Sequence, residues 1–476
     1  MKKSIVALMI VLLLLMCSVA HAEESVNKAA EQYAGHICLN TVKFLPDATP
    51  EQFEQACTEL EAQGATLRTT HVMGDNLYAT YKLNGAVYQV SYTVYGEDDL
   101  VYPECYSSVN GVKMDLDLYK AGDYELFTNE LRIVVDYTST VDFLTEMPEY
   151  EAVSDTVITQ IERNNKTDED WGSGYVITLE DGRYVLIDGG ASGGAMQTEG
   201  DIHRLYNFLN ENNVHPSGEI VIAGWMFSHG HQDHIDIFTD FGEWYGDKVN
   251  LEMVICTASN DDWFMTYYMQ DFAKGYGENI PVYSPQAGQV FYLANARFEV
   301  LQTGHSLYPY ASYREDAYMP YANDASLVIR MTAGGQTMLW TGDMENPASY
   351  LLCRSLGDYL KSDMVQISHH GCTGHTAIKE FYDYVQPEIV FWDCDQYSAE
   401  IFRKEEAALI YLLGDYRVIP DETHISDYGT YKMCYLPYGS GEVEYYYPHG
   451  IEAPSVLCMD CPTCIERYRE YLKNHQ

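Results

Sequence analysis

Basic residues are scarce in this chain of 476 residues, which has 28 lysines and arginines against 71 aspartates and glutamates. The formal net charge at neutral pH is −43. Proteins that bind nucleic acids neutralise phosphate groups with lysine and arginine side chains. The shortage therefore argues against a nuclease or another nucleic-acid-binding protein. A large net charge of one sign keeps a protein soluble, which suits an exported protein.

Long apolar runs are also missing from the sequence, except for one near the amino terminus. Residues Ile5–Met16 contain no polar side chain, follow a basic start and precede the small-x-small pattern Ala20-His21-Ala22. This order is typical of a secretory signal peptide, which we predict for residues 1–22. The run is too short for a comfortable membrane span. We therefore expect a secreted or cell-surface protein without a stable membrane span once the signal peptide is cleaved.

The sequence contains no internal repeat and no low-complexity tract, and no serine or cysteine stands out as a protein nucleophile, since Cys372 suits a packing role better. It does contain Phe227-Ser228-His229-Gly230-His231-Gln232-Asp233-His234, where three imidazoles and one carboxylate fall within six positions. The cluster follows the apolar run Ile220–Ala223, which predicts a buried strand. Imidazole and carboxylate groups are the usual protein ligands of zinc-like ions. A strand that ends in such a cluster therefore predicts a metal site.

The spacing within the cluster divides its side chains into two sets. In an extended segment, residues two positions apart point to the same side, so His229 and His231 can bind one ion together. Gly230 between them lets the backbone approach closely. Asp233 and His234 lie on the turn that follows, point elsewhere and can hold a second ion.

This cluster resembles the His-x-His-x-Asp-His signature of the metallo-β-lactamase superfamily. Four further segments resemble the rest of that family's pattern, in the same order: Tyr184–Gly190, Thr303–Ser306, Leu339–Asp343 and Ile367–Gly371. The resemblance covers residues 153–450 and implies an α/β fold, the αββα sandwich of that family. The alternation of predicted strands and helices fits two packed sheets with helices outside. The resemblance also implies two divalent metal ions, zinc in the first place, with manganese or iron as alternatives.

The resemblance implies one set of metal ligands: His229, His231, Asp233, His234, His305, Asp343, His369 and His370. His305 would complete the ligands of the first ion, with an ordinary loop histidine as the alternative. Asp343 would bridge the two ions. One of His369 and His370 would complete the ligands of the second ion, while the other faces the substrate or packs. The sequence does not choose between these two.

The same resemblance implies further roles for two aspartates. Asp233 is the ligand on which catalysis is expected to depend, and Asp188 would hold a ligand histidine in the correct tautomer. Two divalent ions about 3.5–4 Å apart lower the pKa of a bound water to about 7. A metal-bridged hydroxide is therefore the expected nucleophile.

The predicted domains begin with residues 23–150, a small α+β accessory domain, followed by a hydrolase domain over residues 153–450. Within the accessory domain, Thr49-Pro50-Glu51-Gln52 predicts the start of a helix, and Asn84-Gly85 predicts a hairpin. The proline-containing, acidic stretch Asp142–Ser154 predicts the linker.

Residues 451–476 are predicted to form a cysteine-containing carboxyl-terminal tail. Cys458, Cys461 and Cys464 lie close together there. They predict a disulfide, a small metal site or an exposed redox pair, and a disulfide is favoured in an oxidising compartment.

The order Asn323-x-x-Ser-Leu-Val, Thr-Gly-Asp, His-His-Gly is similar to one branch of the superfamily. That branch includes the hydrolase domains of competence proteins and the phosphorylcholine esterases that act on teichoic acids. We predict an exported binuclear metal-dependent hydrolase, foremost a phosphodiesterase acting on a small molecule or a cell-envelope polymer. The alternatives are a lactonase or thioesterase-type hydrolase of the same fold and a non-catalytic surface-binding protein.

The sequence leaves the substrate-binding residues and the oligomeric state open. A tyrosine-rich loop follows His305 and contains Tyr308, Tyr310, Tyr313, Tyr318 and Tyr321. Such a loop can stack on a sugar or enclose a quaternary ammonium group, or it can simply pack. His424 is a further candidate for contact with the substrate.

Overall fold

The computed structural model describes residues 41–96, 128–160, 173–190, 195–257, 273–307, 323–371, 376–387, 389–391, 434–435, 444–445 and 456–458. The predicted signal peptide, the tyrosine-rich loop, His424, Cys461 and Cys464 lie outside these residues.

The amino-terminal region forms one helix and an antiparallel sheet in the order β1-β5-β4-β3-β2. The strands are β1 Thr41–Pro46, β2 Thr66–Met73, β3 Asn76–Leu83, β4 Ala86–Val94 and β5 Asn129–Asp136, and the helix is α1 Pro50–Ala62. Thr49 and Gln52 form the predicted capping box of α1, in which Thr49 N donates to Gln52 Oε1 at 2.8 Å. The predicted Asn84-Gly85 hairpin joins β3 to β4. Both local predictions are confirmed.

A second sheet contains the strand that leads into the histidine cluster. Its first seven strands are β6 Val157–Gln160, β7 Gly174–Thr178, β8 Tyr184–Asp188, β9 Ile220–Phe227, β10 Val249–Leu251, β11 Val254–Cys256 and β12 Val282–Tyr283. The order is β12-β11-β9-β8-β7-β6, with β10 also beside β9. The strands from β8 to β12 pair in parallel. Every residue of β9 is buried, as expected for a parallel strand that is covered on both faces.

The third sheet runs in sequence order from β13 to β20. Its strands are β13 Val290–Leu293, β14 Ala296–Gln302, β15 Val328–Ala333, β16 Gln336–Trp340, β17 Met364–Gln366, β18 Ile389–Phe391, β19 Cys434–Tyr435 and β20 Glu444–Tyr445. The strands β16, β17 and β18 pair in parallel. A last strand, β21 Val456–Cys458, pairs with β6 of the second sheet. The sheet thus extends into the region predicted as a tail.

The remaining helices are α2 Ala195–Glu211, α3 Gln232–Tyr245, α4 Asn346–Leu356 and α5 Lys379–Val385. Short 3-10 turns cover Gly246–Lys248, Ala273–Tyr276, Gly304–Leu307 and Gly357–Leu360. Ser368–Gly371 forms a turn whose two central residues have a positive φ. Among the described helices, none combines the length and the apolar character needed to cross a membrane.

The main core lies between the second and third sheets. Ile187 and Met226 of the second sheet share one buried cluster with Phe298, Ile329 and Trp340 of the third. These residues alternate along their strands with residues that point to the opposite faces, which is the two-residue period of a strand. The two sheets therefore pack face to face.

Helices cover the outer face of the second sheet. Trp225 of β9 is fully buried and packs edge-on against Phe238 and Phe241 of α3. On the outer face of the third sheet, the Arg330 guanidinium donates to the Tyr359 backbone oxygen at 2.6 Å, which fixes the turn after α4. This mixed α/β arrangement of helices around two sheets confirms the predicted fold class.

The amino-terminal sheet docks on the outer face of the third sheet through a buried carboxylate. Glu299 of β14 is fully buried, and its Oε1 lies 2.5 Å from Nε2 of His71 on β2. On the other side, Arg330 donates to Glu299 Oε2 at 3.0 Å and Tyr359 donates to Oε1 at 2.6 Å. Burial would raise the pKa of Glu299, but the hydrogen bond with His71 and the charge of Arg330 outweigh it and hold that pKa below its usual range. The accessory region is thus joined to the sandwich by a buried hydrogen bond between His71 and Glu299 as well as by packing.

Gly288 is a second contact point between the amino-terminal sheet and the sandwich. Its replacement is expected to lower the stability of the protein. Its φ is +86°, and a Cβ there would overlap the ring of the buried Tyr78 on β3. We expect Gly288→Ala to lower the free energy of unfolding by about 2–3 kcal/mol, because the alanine is overpacked and its backbone is strained. Urea unfolding followed by circular dichroism measures this loss. Gly335→Ala is the matched control, since Gly335 has a φ of +78° and nothing near its Cβ position. Equal losses in both variants would contradict a tight contact at Gly288.

Candidate metal centre

The predicted site residues lie where strands of both sheets end. Asp188 is the last residue of β8, and His229 follows the end of β9 by two residues. Asp343 follows β16, and His370 follows β17. Because β8 pairs in parallel with β9 and β16 with β17, their carboxyl ends meet at one edge of the sandwich.

One backbone hydrogen bond joins the two sheets at this edge, since Leu327 N donates to Ser228 O at 2.7 Å. A second joins the segments after β16 and β17 within the third sheet, where His369 N donates to Gly342 O at 3.1 Å. Gly342 has a φ of +53°, and a Cβ there would lie 2.5 Å from Ser228 Cβ. The glycine therefore allows the segments after β9 and β16 to approach closely.

The structure brings six of the predicted ligands together in two groups. The Asp233 group contains Asp233, His234, Asp343 and His370, and the His229 group contains His229, His231 and Asp343. Within each group the candidate ligand atoms lie within 4.8 Å of one another. Asp343 belongs to both groups. Its Oδ1 lies 3.1 Å from His234 Nε2, and its Oδ2 lies 3.6 Å from His229 Nε2.

Several atoms of these groups are buried without a hydrogen-bond partner among the described residues. They are His229 Nε2, His234 Nε2 and Asp343 Oδ1. Leaving a buried polar atom unsatisfied is costly, and all three atoms point into the groups. Imidazole nitrogens and carboxylate oxygens at this separation are the donor set of zinc and similar ions. The residues present therefore fit divalent cations.

The electrostatics of the Asp233 group favour positive charge. Burial would raise the pKa of Asp343, but the charges of His234 and His370 outweigh burial and hold that pKa well below its usual range. The pKa of Asp233 is lowered in the same way against burial, mainly by His234. In return, burial is outweighed at His234 by Asp343 and Asp188, so its pKa lies well above its usual range. The carboxylates thus stay ionised, and a cation at this place is stabilised.

In the His229 group, the histidine pKa values are shifted in the opposite direction to that of His234. Burial, followed by repulsion from His234, holds the pKa of His229 well below its usual range. Burial also lowers the pKa of His231. Both imidazoles therefore remain neutral near pH 7, which is the form that binds a metal ion.

Asp188 lies where a residue that orients a ligand histidine is expected. Its Oδ2 lies 2.8 Å from His234 Nδ1, so His234 Nε2 is the ring nitrogen that faces Asp343. Ser228 N donates to Asp188 Oδ1 at 2.8 Å, and Ser228 Oγ donates to Oδ2 at 2.8 Å. Three hydrogen bonds therefore fix the carboxylate and the histidine together.

Asp188→Asn tests this positioning role. Asparagine keeps the shape and tolerates the φ of +52° at this position, but its amide would turn a donor towards His234 Nδ1 or Ser228. We expect metal affinity to fall by about 10–100-fold, the usual effect of removing such a partner. Competition with a chromophoric chelator measures the affinity. Asp181→Asn, at a turn in which Asp181 pairs with Arg183, is a matched control and is expected to bind metal normally. Unchanged metal affinity in Asp188→Asn would show that the tautomer of His234 does not depend on Asp188.

The structure separates His369 from His370, between which the sequence did not choose. His370 Nε2 lies 3.1 Å from Asp233 Oδ2 and belongs to the Asp233 group. His369 is more exposed, 18% against 1%, and its Nδ1 lies 3.5 Å from Glu345 Oε1. Both histidines have a positive φ, 49° and 53°, a strained conformation that recurs at functional sites. His370 is therefore the one that belongs to the candidate ligands, and His369 lies on the more exposed side.

His305 is not brought into either group. It lies in the turn Gly304–Leu307, and its Nδ1 lies 3.1 Å from Gln286 Oε1. Burial and the positive charge of Arg132 lower the pKa of His305 to about 4. Arg132 belongs to β5 of the amino-terminal sheet, so this histidine lies close to that sheet.

The loop before Asp343 is held by side chains that no sequence motif singled out as site residues. Asp343 N donates to Ser326 Oγ at 3.0 Å, and Gln366 Oε1 accepts from Thr341 N at 3.1 Å and from Gly342 N at 3.0 Å. Ser326 belongs to the Asn-x-x-Ser pattern, so the resemblance carried a signal for it. Gln366 is a polar residue at the end of an apolar strand. This contrast was the only local sign that it holds the loop before Asp343.

No protein-family model and no curated protein matches the chain. Solved structures match parts of it. One is the metallo-β-lactamase fold protein YhfI from Bacillus subtilis, with 16% identity and a TM-score of 0.28 over 45% of this chain and 70% of that protein. Zinc-bound PqqB from Methylobacterium extorquens matches with 11% identity and a TM-score of 0.29 over 46% and 73%. Yeast PDE1 matches with 12% identity and a TM-score of 0.31 over 48% and 84%. Parts of the chain are thus similar to metallo-β-lactamase fold proteins, and its function is inferred from the geometry of the site.

Proposed function

We propose that this protein is an exported binuclear metal-dependent hydrolase that cleaves phosphodiesters. The observation that carries the proposal is the position of Asp343, whose carboxylate belongs to both ligand groups. A carboxylate shared in this way is what a site for two neighbouring ions requires. His229 and His231 would hold one ion, while His234, His370 and Asp233 would hold the other.

Two divalent ions at such a site act as Lewis acids on the scissile group and make water more acidic. The protein's own residues supply orientation and proton transfer. The side chain of Asp233 is 29% exposed, in contrast to the buried His234 and His370, so it faces the open side of the site. Its lowered pKa keeps it ionised near pH 7, so its carboxylate can accept a hydrogen bond from an attacking water and orient that water. His369, held by Glu345 on the same side, is placed to donate a proton to the leaving oxygen.

The substrate class rests on composition and on the sequence resemblance. A net charge of −43 disfavours nucleic acid, which leaves phosphodiesters of small molecules or of cell-envelope polymers. The Asn323-x-x-Ser326 pattern is similar to the branch that includes phosphorylcholine esterases. Asn323 Nδ2 donates to Glu345 Oε1 at 2.8 Å, so the pattern contributes to holding His369 at the open side.

The test uses the protein lacking residues 1–22. Its metal content is measured, and its hydrolytic activity is assayed on a panel of substrates. Elemental analysis should find about two divalent ions per chain. The panel contains bis-p-nitrophenyl phosphate, p-nitrophenyl phosphorylcholine, a lactone, a thioester and nitrocefin. We expect cleavage of the diesters, lost in Asp233→Ala and kept in Asp247→Ala, which changes an exposed aspartate.

The other outcomes identify the alternatives. Turnover of only the lactone or the thioester would contradict the phosphodiesterase assignment and favour another hydrolase of the same fold. A protein that binds no metal and cleaves nothing would overturn the hydrolase proposal and favour a non-catalytic binding protein.

A further inference from the structure

A polar cavity lies between the amino-terminal sheet and the third sheet. Gln89 of β4 and Arg132 of β5 line it on one side, and Gln286, Gln302 and Thr303 line it on the other. All five side chains are buried. The residues lining the cavity belong to neither ligand group. The cavity therefore exists only because the accessory region and the sandwich are docked together.

Hydrogen bonds fix how two of the lining amides are turned. Gln89 Oε1 accepts from Thr80 Oγ1 at 2.6 Å and from Gln289 Nε2 at 3.2 Å. Gln286 Oε1 accepts from His305 Nδ1 at 3.1 Å. Because the oxygens are engaged as acceptors, the Nε2 groups of both amides are the ends left to donate.

These donors find no acceptor within the part of the chain that the structure describes. Nε2 of Gln89, Gln286 and Gln302 and Oγ1 of Thr303 are all buried without a hydrogen-bond partner there. Buried donors are rarely left unmet in a native protein, because their desolvation is then uncompensated. Four such groups around one cavity indicate that it is built to hold an acceptor.

Arg132 adds positive charge to the same cavity. Its guanidinium forms an ion pair with the buried Glu130, in which Nη2 and Oε1 are 2.5 Å apart. Burial lowers the pKa of His305 to about 4, and the charge of Arg132 contributes to this. The Arg132–Glu130 pair thus places a guanidinium in the lining of the cavity, near the turn that carries His305.

We propose that this cavity binds a small oxyanion, the carboxylate or tetrahedral phosphate or sulfate group of a solute. The amide donors and the Thr303 hydroxyl supply hydrogen bonds to its oxygens, and Arg132 supplies charge. The accessory region then has a definite role, since it provides half of a ligand site. An occupant bound by Gln286 would also stabilise the Gly304–Leu307 turn through His305.

Calorimetric titration of the metal-loaded full chain with sodium sulfate and, separately, sodium acetate tests the proposal at constant ionic strength. We expect one site per chain for at least one anion, and the preferred anion identifies a tetrahedral or a planar group. Gln302→Glu replaces a donor with a negative charge and is expected to weaken binding at least about tenfold. Thr303→Val removes one donor at nearly constant shape and provides a second variant if Gln302→Glu folds poorly.

Two controls separate this cavity from other anion sites. Gln63→Glu makes the same change at an exposed position and is expected to bind the anion as the wild type does. Asp343→Asn alters the metal centre and is also expected to leave anion binding unchanged. Binding that is lost in Asp343→Asn but kept in Gln302→Glu and Thr303→Val would overturn the proposal, as would the absence of binding by either anion.

Discussion

Asp343→Asn is expected to lower hydrolytic turnover by more than about a hundredfold, since the loss of a residue that only orients a ligand already costs about 10–100-fold. The carboxylate is common to the Asp233 and His229 groups, so one substitution weakens both ion sites. Asparagine has the same size, but it removes a negative charge between the buried His229 and His234. We expect bound metal to fall below one ion per chain by elemental analysis.

The control for this variant is Asp247→Asn, which makes the same chemical change at an exposed pair with Lys248. Exposed pairs of this kind contribute about 0–1 kcal/mol, so metal content and turnover are expected to match the wild type. Kinetics with bis-p-nitrophenyl phosphate provide the turnover numbers. Full activity in Asp343→Asn with two ions bound would contradict the bridging position of Asp343.

Glu299→Gln is expected to lower the free energy of unfolding at pH 7 by about 3–5 kcal/mol, the usual cost of breaking a buried ion pair. The substitution leaves the Arg330 charge on the outer face of the third sheet without its carboxylate. It also weakens the contact with His71, which joins the amino-terminal sheet to the sandwich. Urea unfolding of the wild type and the variant measures the difference. Glu219→Gln, at an exposed position, is the matched control and should change stability by less than about 0.5 kcal/mol.

The effect of Glu299→Gln should depend on pH in a defined direction. The pKa of Glu299 in the folded protein lies below the ordinary value of 4.5. The stabilisation by Glu299 is therefore complete above about pH 4.5 and is lost as the pH falls towards the folded-state pKa. We expect the stability difference between wild type and Glu299→Gln to shrink as the pH falls from about 4.5 towards the folded-state pKa. A difference that grows below pH 4 would contradict an ionised Glu299 in the folded protein.

The accessory region packs against the sandwich instead of standing apart from it. The sequence presents it as a separate domain before a linker, which suggests that it can be removed without harm. In the structure, it covers Glu299 and forms half of the polar cavity. His71 and Glu299 are 228 positions apart in the chain, so no local pattern could indicate their contact. Removing the region would expose a buried carboxylate as well as an apolar surface.

The sequence by itself determined the features that depend on neighbouring residues. The capping box at Thr49, the Asn84-Gly85 hairpin and the buried strand before His229 are set by backbone preferences and by periodicity over a few residues. The clustering of the candidate ligands between His229 and His234 follows for the same reason. The strand ends just before His229, and His231 occupies the N-cap position of the next helix. These side chains therefore lie close together because of the local backbone alone.

Only the tertiary structure decided which distant residues join that cluster. Asp343 is shared because β16 ends at the same edge as β9, and His370 rather than His369 faces Asp233 because two successive residues adopt a positive φ. His305 was predicted as a ligand, but it lies in the turn beside Gln286 and outside both ligand groups. These outcomes depend on how segments more than a hundred residues apart pack together. Packing of that kind is decided by the whole core and leaves no periodic signal in the sequence.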